Sequence, residues 1–433
     1  MAYDLAQRQT LTGIAFCGVQ RLPEEQRPPR MLLMKWYMAA EQIRKKNEKM
    51  DRMTVAVAKK FAENGFPGVV LKGQGIAQLY RVEQIENSKL KIEDCHPEGD
   101  AREYENDNEN QGTGKFSILN SQFSIKEYRT PGDIDIWLHG ERKEILDYVR
   151  RHVPDCKPVY HHVDFPVIDE LPIEVHFTPS WMNSPFTNRR LQDFFKRATI
   201  NDERGTRGHA CVYDNDNEKT AELRTTDDRQ RTTVNRAVSA LTSDEGAINR
   251  AEHFNRSAAS LTGTEGASMI PTPTLAFNRV YILVHIYRHL FHEGIGLRQL
   301  LDYYFVLQQG FTEDERTETM RTLRSLRMQR FTEAVMWVLQ EVFAMDERYL
   351  LTKPNEEEGR FLLSEIMMAG NFGHYDERIK RSEKVTEWDL FRRRVGRNMR
   401  FVRSYPSEVL WAPLFKLWHA GFRFAIKTLN DER

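Results

Sequence analysis

Pro131-Gly132-Asp133-Ile134-Asp135-Ile136-Trp137-Leu138 is the stretch on which the reading of this chain turns. Successive side chains of a β-strand point to opposite faces, so Asp133 and Asp135 project from one side while Ile134, Ile136 and Leu138 project from the other. Two carboxylates thereby share one small volume. Downstream, Ile173-Glu174-Val175-His176-Phe177 repeats the device, with Glu174 and His176 on one face and three apolar residues on the other. Upstream, Leu71-Lys72-Gly73-Gln74-Gly75 sets a glycine turn ahead of the helix-like Ile76-Ala77-Gln78-Leu79-Tyr80. Unpaired backbone N–H groups at such a turn suit an anion such as phosphate.

Like charges a few ångströms apart repel, and a divalent cation relieves the repulsion. Magnesium, or manganese in its place, fits hard carboxylate oxygens and is commonly held by one or two carboxylates together with substrate phosphates. A lone Asp-x-Asp is commonly only the wet face of an edge strand. Three segments in this order, turn, acidic strand and second acidic strand, favour a cleft where phosphate and metal meet.

The arrangement resembles the nucleotidyltransferase superfamily of DNA polymerase beta. Its signature is a hydrophobic-Gly-Gly/Ser turn, an Asp-hydrophobic-Asp strand and a third acidic strand residue, with Leu71 to Gln74, Asp133-Ile134-Asp135 and Glu174 as counterparts. Leu71 to Tyr80, Tyr128 to Leu138, Ile173 to Phe177 and Gly294 to Tyr304 look more closely like a bacterial, Bacteroidetes-type group of uncharacterised nucleotidyltransferases. Gln74 departs from the usual Ser or Gly, and a long polar insertion precedes the Asp strand. The resemblance implies an α+β fold: a polymerase beta-like α/β core, a C-terminal all-helical domain and two polar flexible inserts. It also implies a transferase that moves a nucleoside monophosphate from an NTP, such as ATP, to an acceptor hydroxyl with release of pyrophosphate. Asp133, Asp135 and Glu174 would hold the metal and act in catalysis, Glu174 also assisting deprotonation of the acceptor. Lys72, Gly73, Gln74, Gly75, Arg129, His289 and Arg298 would bind the nucleotide.

The chain has 433 residues, more than one compact core usually holds. The expected division is a helical arm over 1–30, a nucleotidyltransferase domain over 31–200 with an insert near 83–126, a polar insert over 201–269 and a helical domain over 270–433. Both inserts are too polar to offset the cost of ordering. With 63 basic and 63 acidic residues the formal charge is zero, so binding of long nucleic acid through net charge is not expected. Four cysteines without CxxC spacing, no signal peptide and no spanning segment make cytoplasm the expected location.

A long helix is predicted from Met31 to about Asn64, a helix over Glu141 to His152, and a hairpin of Val159 to Val167 with Pro172 to Thr178. A short helix follows over Ser180 to Lys196. His161, His162, Asp164 and His176 lack the tight spacing of a structural zinc site, and substrate contact or mutual pairing suits them better. Gly294-Ile295-Gly296 breaks a helix of Pro273 to Glu293 from one of Leu297 to Gln308. Arg288, His289, Arg298 and Asp302 flank the break. They could face a nucleotide, Arg298 as a planar fork on phosphate and Asp302 orienting a base, or form an interhelical network. Helices are also predicted over Glu313 to Met345 and Glu356 to Ala369. The aromatic segment Tyr405 to His419 is expected to pack on the helical domain, its helix interrupted by proline, or to dock a partner or membrane surface. Two other functions fit the same residues: a catalytically silent nucleotide-binding scaffold on this fold, and a membrane-peripheral adaptor.

Overall fold

A computed structural model describes residues 1–80, 125–168, 171–203, 270–376, 378, 392 and 395–431. Its helices and strands run α1 (Ala2–Arg8), α2 (Thr12–Gln20), α3 (Arg30–Glu63), β1 (Gly68–Val70), α4 (Gln74–Ala77), β2 (Ile134–Leu138), α5 (Arg142–His152), β3 (His162–Ile168), β4 (Leu171–His176) and α6 (Pro185–Glu203). They continue as α7 (Leu275–His292), α8 (Leu297–Gln308), α9 (Glu313–Ser325), α10 (Gln329–Phe343), α11 (Glu356–Ala369) and α12 (Pro406–Asp431). The architecture is α+β, a small four-stranded sheet set among many helices with a helical C-terminal region, as expected.

Met50, Val57 and Phe61 recur at helical spacing along α3, are fully buried, and give the sheet one of its two covers. Gly65, at φ +85°, ends that helix, and Pro67 turns the chain into β1. Strand order is β1-β2-β4-β3, with β2 and β4 parallel and the two outer pairings antiparallel. The alternation in β2 and β4 now has a structural meaning. Ile134, Ile136, Leu138, Ile173 and Val175 enter a core with α3 and α5. Val69 and Leu71 go to the other face, into a second and larger core with Ile76, Leu79 and Tyr80 and the apolar sides of α7 to α11. Tyr3 and Phe16 of the N-terminal helices pack on Trp36 and Tyr128, and Gln9 bonds Leu297 and Ile366, tying this arm to α8 and α11.

Several boundaries differ from expectation. The hairpin's first strand begins at His162, and α6 begins at Pro185. The span Glu313 to Met345 is two helices, because Arg327 turns to φ +60° between them. Proline does not interrupt the last helix: α12 runs through Pro413. Proline removes one backbone donor and crowds one carbonyl, which a helix anchored on one side can absorb. Here Glu408, Val409 and Ala412 are buried while Leu410, Leu414 and Leu417 are exposed. The polar insert near 83–126 lies outside the described residues up to Ile125, where a 3-10 turn (Ile125–Tyr128) begins. The insert over 201–269 lies outside them except at the end of α6, and the run Arg392-Arg393-Arg394 lies outside them apart from Arg392.

Candidate active site

Register builds the site. Parallel pairing sets Asp135 opposite Glu174 and Trp137 opposite His176, and antiparallel pairing sets His162 opposite His176 and Asp164 opposite Glu174. Directly opposed residues share a face of the sheet. Carboxylates and imidazoles from three strands therefore collect on one surface, with Asp133 one residue ahead of β2. The helices α7 and α8 roof this surface and leave a cavity of about 300 Å³, lined by Lys72, Gly73, Asp133, His161, His162 and Glu174 below and by Arg288, His289, His292 and Arg298 above.

Asp135 lies behind this lining, 1% exposed, and is not itself part of the cavity wall. Leu71 N–H donates to Asp135 O at 3.0 Å, extending the ladder past β1 and delivering Lys72 to the acidic residues. Lys72 Nζ lies 3.1 Å from Asp135 Oδ2 and 3.4 Å from Asp133 Oδ1. His176 Nε2 lies 3.0 Å from Asp135 Oδ1 and 3.3 Å from Glu174 Oε2. Lys72 thus sits between Asp133 and Asp135, and the His176 imidazole between Asp135 and Glu174.

Burial alone would raise the carboxyl pKa values and lower those of the cations, but the contacts overcome it. Lys72 and then His176 hold Asp135 below the usual carboxylate range. Against burial, His176 and His162 lower Glu174 to about 2. Burial is likewise outweighed at His176, which Asp135 and Glu174 raise above the usual histidine value, and at Lys72, which Asp135 and Asp133 raise. The roof behaves oppositely. Burial pushes His161 and His285 well down and takes His289 to about 4, so these imidazoles are neutral near pH 7.

Of the turn residues, Lys72 and Gly73 line the cavity, and Gly73 adopts φ +59°, which favours glycine. Gln74 and Gly75 do not line it. The Gln74 amide donates to Asp51 on α3, and the Gly75 N–H is already bonded to Lys72 O at 3.1 Å. A Cβ on Gly75 would lie 2.5 Å from Val70 O, so this glycine serves close packing. Arg129 reaches the wall of the cavity, yet its fork is closed on Asp302, at 2.6 and 2.7 Å, and Tyr80 donates its hydroxyl to the same carboxylate at 2.6 Å. Asp302 therefore joins the two halves of the fold, the network alternative, and Arg129 has no fork left for a phosphate. Arg298 donates to Thr130 O at 2.8 Å with its Nε unbonded, and burial and Arg129 lower its pKa to about 10. His289 is held by Glu293 at 3.3 Å.

Sequence reasoning did not identify His285, Trp181 or Glu293, and it did not rank Arg288 among the site residues. One signal was present: His285, Arg288, His289 and His292 recur at three- and four-residue steps along an otherwise apolar helix.

The residues fit a divalent metal. Asp135 Oδ2 is buried without a hydrogen bond of good geometry, facing the Lys72 ammonium. Asp135, Glu174 and His176 can bring one ligand atom each within 4.8 Å of one another, as can His162, Asp164 and Glu174, and His161, His162 and His176. Asp133 is not in these groups and reaches them through Lys72. Carboxylate oxygens suit a hard cation, the imidazoles a softer one.

Among protein families, the one described as "Uncharacterised nucleotidyltransferase" matches residues 1–85 and 232–344. The matched segments contain Lys72, Gly73, Arg288 and Arg298, while Asp133, Asp135 and Glu174 fall between them. No curated protein and no solved structure matches the chain.

Proposed function

We propose that this chain, matched to the uncharacterised nucleotidyltransferases, transfers a nucleoside monophosphate from an NTP to an acceptor hydroxyl. The observation that carries the reading is the parallel register seating Glu174 beside Asp135, under the Lys72-Gly73 turn and next to Asp133. In this reading the acceptor oxygen bonds to the α-phosphorus, the bond to the bridging oxygen breaks, pyrophosphate leaves with that electron pair, and the hydroxyl proton passes to solvent. Asp133, Asp135 and Glu174 would hold magnesium or manganese, which would supply charge neutralisation for the reaction. Lys72 and Arg298 orient the phosphates, Lys72 leaving its place between the two aspartates to do so. Glu174 serves better as a ligand than as a base, because a carboxylate near 2 accepts a proton poorly at neutral pH. Residues 31–200 form the nucleotidyltransferase domain of this reading and 270–433 the helical domain that closes the cavity. No helix among the described residues is long and apolar enough to cross a membrane, and a cytoplasmic enzyme fits.

The Lys72 ammonium seated between Asp133 and Asp135 favours one second reading, a chain that binds nucleotide without turnover. One experiment separates them. The protein is incubated with each labelled NTP, magnesium and a cell extract, and pyrophosphate and labelled products are measured. Metal-dependent pyrophosphate release with a labelled acceptor supports transfer. Nucleotide binding with neither, across all four NTPs, supports the silent scaffold.

A further inference from the structure

Two separate sets of cations line the cavity. One adjoins the glycine turn: Lys72 contacts Asp133, and Arg298 lies against Gly132, whose Cβ would sit 4.0 Å from its Nη1. The other is Arg288. Its Nη1 lies 3.4 Å from His161 Nε2, that nitrogen lies 2.7 Å from His162 Nδ1, and His162 Nδ1 lies 3.5 Å from Glu174 Oε2. Arg288 thus adjoins the Glu174 side of the acidic cluster.

Its partners are unusual for a largely buried arginine. Among the described residues no carboxylate stands within ion-pair distance of it; Glu293, Glu174 and Asp135 act on it from farther off and are engaged elsewhere, Glu293 by His289, Glu174 and Asp135 by His176. It stacks on the Trp181 ring at 4.0 Å and touches two imidazoles, His161 and His289, that burial keeps neutral, while its Nε is unbonded. Cation–π stacking compensates only part of the lost hydration of a guanidinium. A planar fork with open donors, facing a cavity and lacking a counterion, matches an oxyanion.

We propose that Arg288, backed by Trp181 and flanked by His161 and His289, binds an oxyanion on the acceptor, so that the acceptor is a small hydroxyl compound bearing a phosphate or carboxylate group. The assignment rests on the transfer reading for the word acceptor, and on Arg288's surroundings for the oxyanion. With the nucleotide phosphates on the glycine-turn side and the carboxylates between, the acceptor's hydroxyl lies toward Glu174 and its charged group toward Arg288.

The test titrates the full chain with inorganic phosphate and, separately, acetate, each with and without magnesium and a non-hydrolysable ATP analogue. Phosphate or acetate should bind the analogue-loaded chain, and the stronger of the two names the group. Arg288→Gln should weaken that binding about tenfold or more, the loss of one or two charge-assisted hydrogen bonds, and leave analogue affinity within about twofold. Arg298→Gln should do the reverse. Arg288→Lys, which keeps charge and loses the fork, should fall between, and melting curves verify that each variant is folded. Oxyanion binding undiminished in folded Arg288→Gln, or no oxyanion binding by the wild type, overturns the assignment. So does an equal loss of analogue affinity, which would give Arg288 to the nucleotide. Absence of magnesium-dependent analogue binding overturns the transfer reading by itself, while the analogue-free titration still decides whether Arg288 holds an oxyanion.

Discussion

Replacing Lys72 with Met removes the cation between Asp133 and Asp135 while keeping most of its stem. At 3.1 Å from Asp135 Oδ2, unit charges attract by about 5 kcal/mol at an effective dielectric constant near 20. That is a gross figure, because burying both groups cost hydration; breaking a buried pair typically loses about 3–5 kcal/mol net. His176 remains on the other oxygen of Asp135 at 3.0 Å, so we expect the lower end, about 3 kcal/mol. The loss should depend on metal. If magnesium takes the position that Lys72 vacates, it stabilises the variant by about 2.7 kcal/mol once its concentration exceeds its Kd a hundredfold. In the wild type the same addition gains less, since the ammonium must first be displaced. Urea unfolding of both proteins in chelator and in millimolar magnesium reads this directly. An equal deficit in both conditions would refute the idea that lysine and metal compete for one place.

Asp133→Asn should separate chemistry from folding: its side chain is 33% exposed, so stability should change by less than about 1 kcal/mol, whereas pyrophosphate release should fall about a hundredfold or more. Undiminished turnover would remove Asp133 from the metal site. Asp135→Asn, by contrast, should cost stability as well as activity, because its charge is paired on both sides. Glu408, raised by burial from its ordinary 4.5 to about 7, should make the protein less stable as pH rises from about 4.5 to 7, by about 3 kcal/mol in all, since the unfolded chain ionises first. Glu408→Gln should flatten that slope, and an unchanged slope would show that another group is responsible. Asp302→Ala strands the 3% exposed Arg129 and the Tyr80 hydroxyl, and should cost about 3–5 kcal/mol in chemical unfolding; a loss below about 1 kcal/mol would mean the contact between the halves is held by packing alone.

The faces of the strands were legible because alternation is a local property: Asp-Ile-Asp and Ile-Glu-Val-His commit their side chains whatever lies beyond them. The order of strands was not. Whether β4 lies beside β2, with Asp135 level with Glu174, depends on pairing between segments far apart in the chain, which no short pattern encodes. The same distance hid the fate of Arg129, whose partner is 173 residues away, and of Gln74, claimed by Asp51 on the preceding helix. A glycine turn next to apolar residues looked like a phosphate loop, and half of it is indeed cavity wall, but Gly75 is small because Val70 crowds it. His176 was visible as a neighbour of Glu174; its place between two carboxylates required the register.

The sheet is a wall common to two rooms. Ile134, Ile136 and Val175 belong to the core beneath it, Val69 and Leu71 to the one above, and the Val70 N–H donates to Pro271 O at 2.8 Å. Neither core can melt without stripping one side of the strands that support the other. Heating should therefore give a single calorimetric peak for both halves, with enthalpies from calorimetry and van't Hoff analysis agreeing. A shortened gene encoding only 31–200 should yield a sticky, poorly soluble product, its upper wall left bare to water.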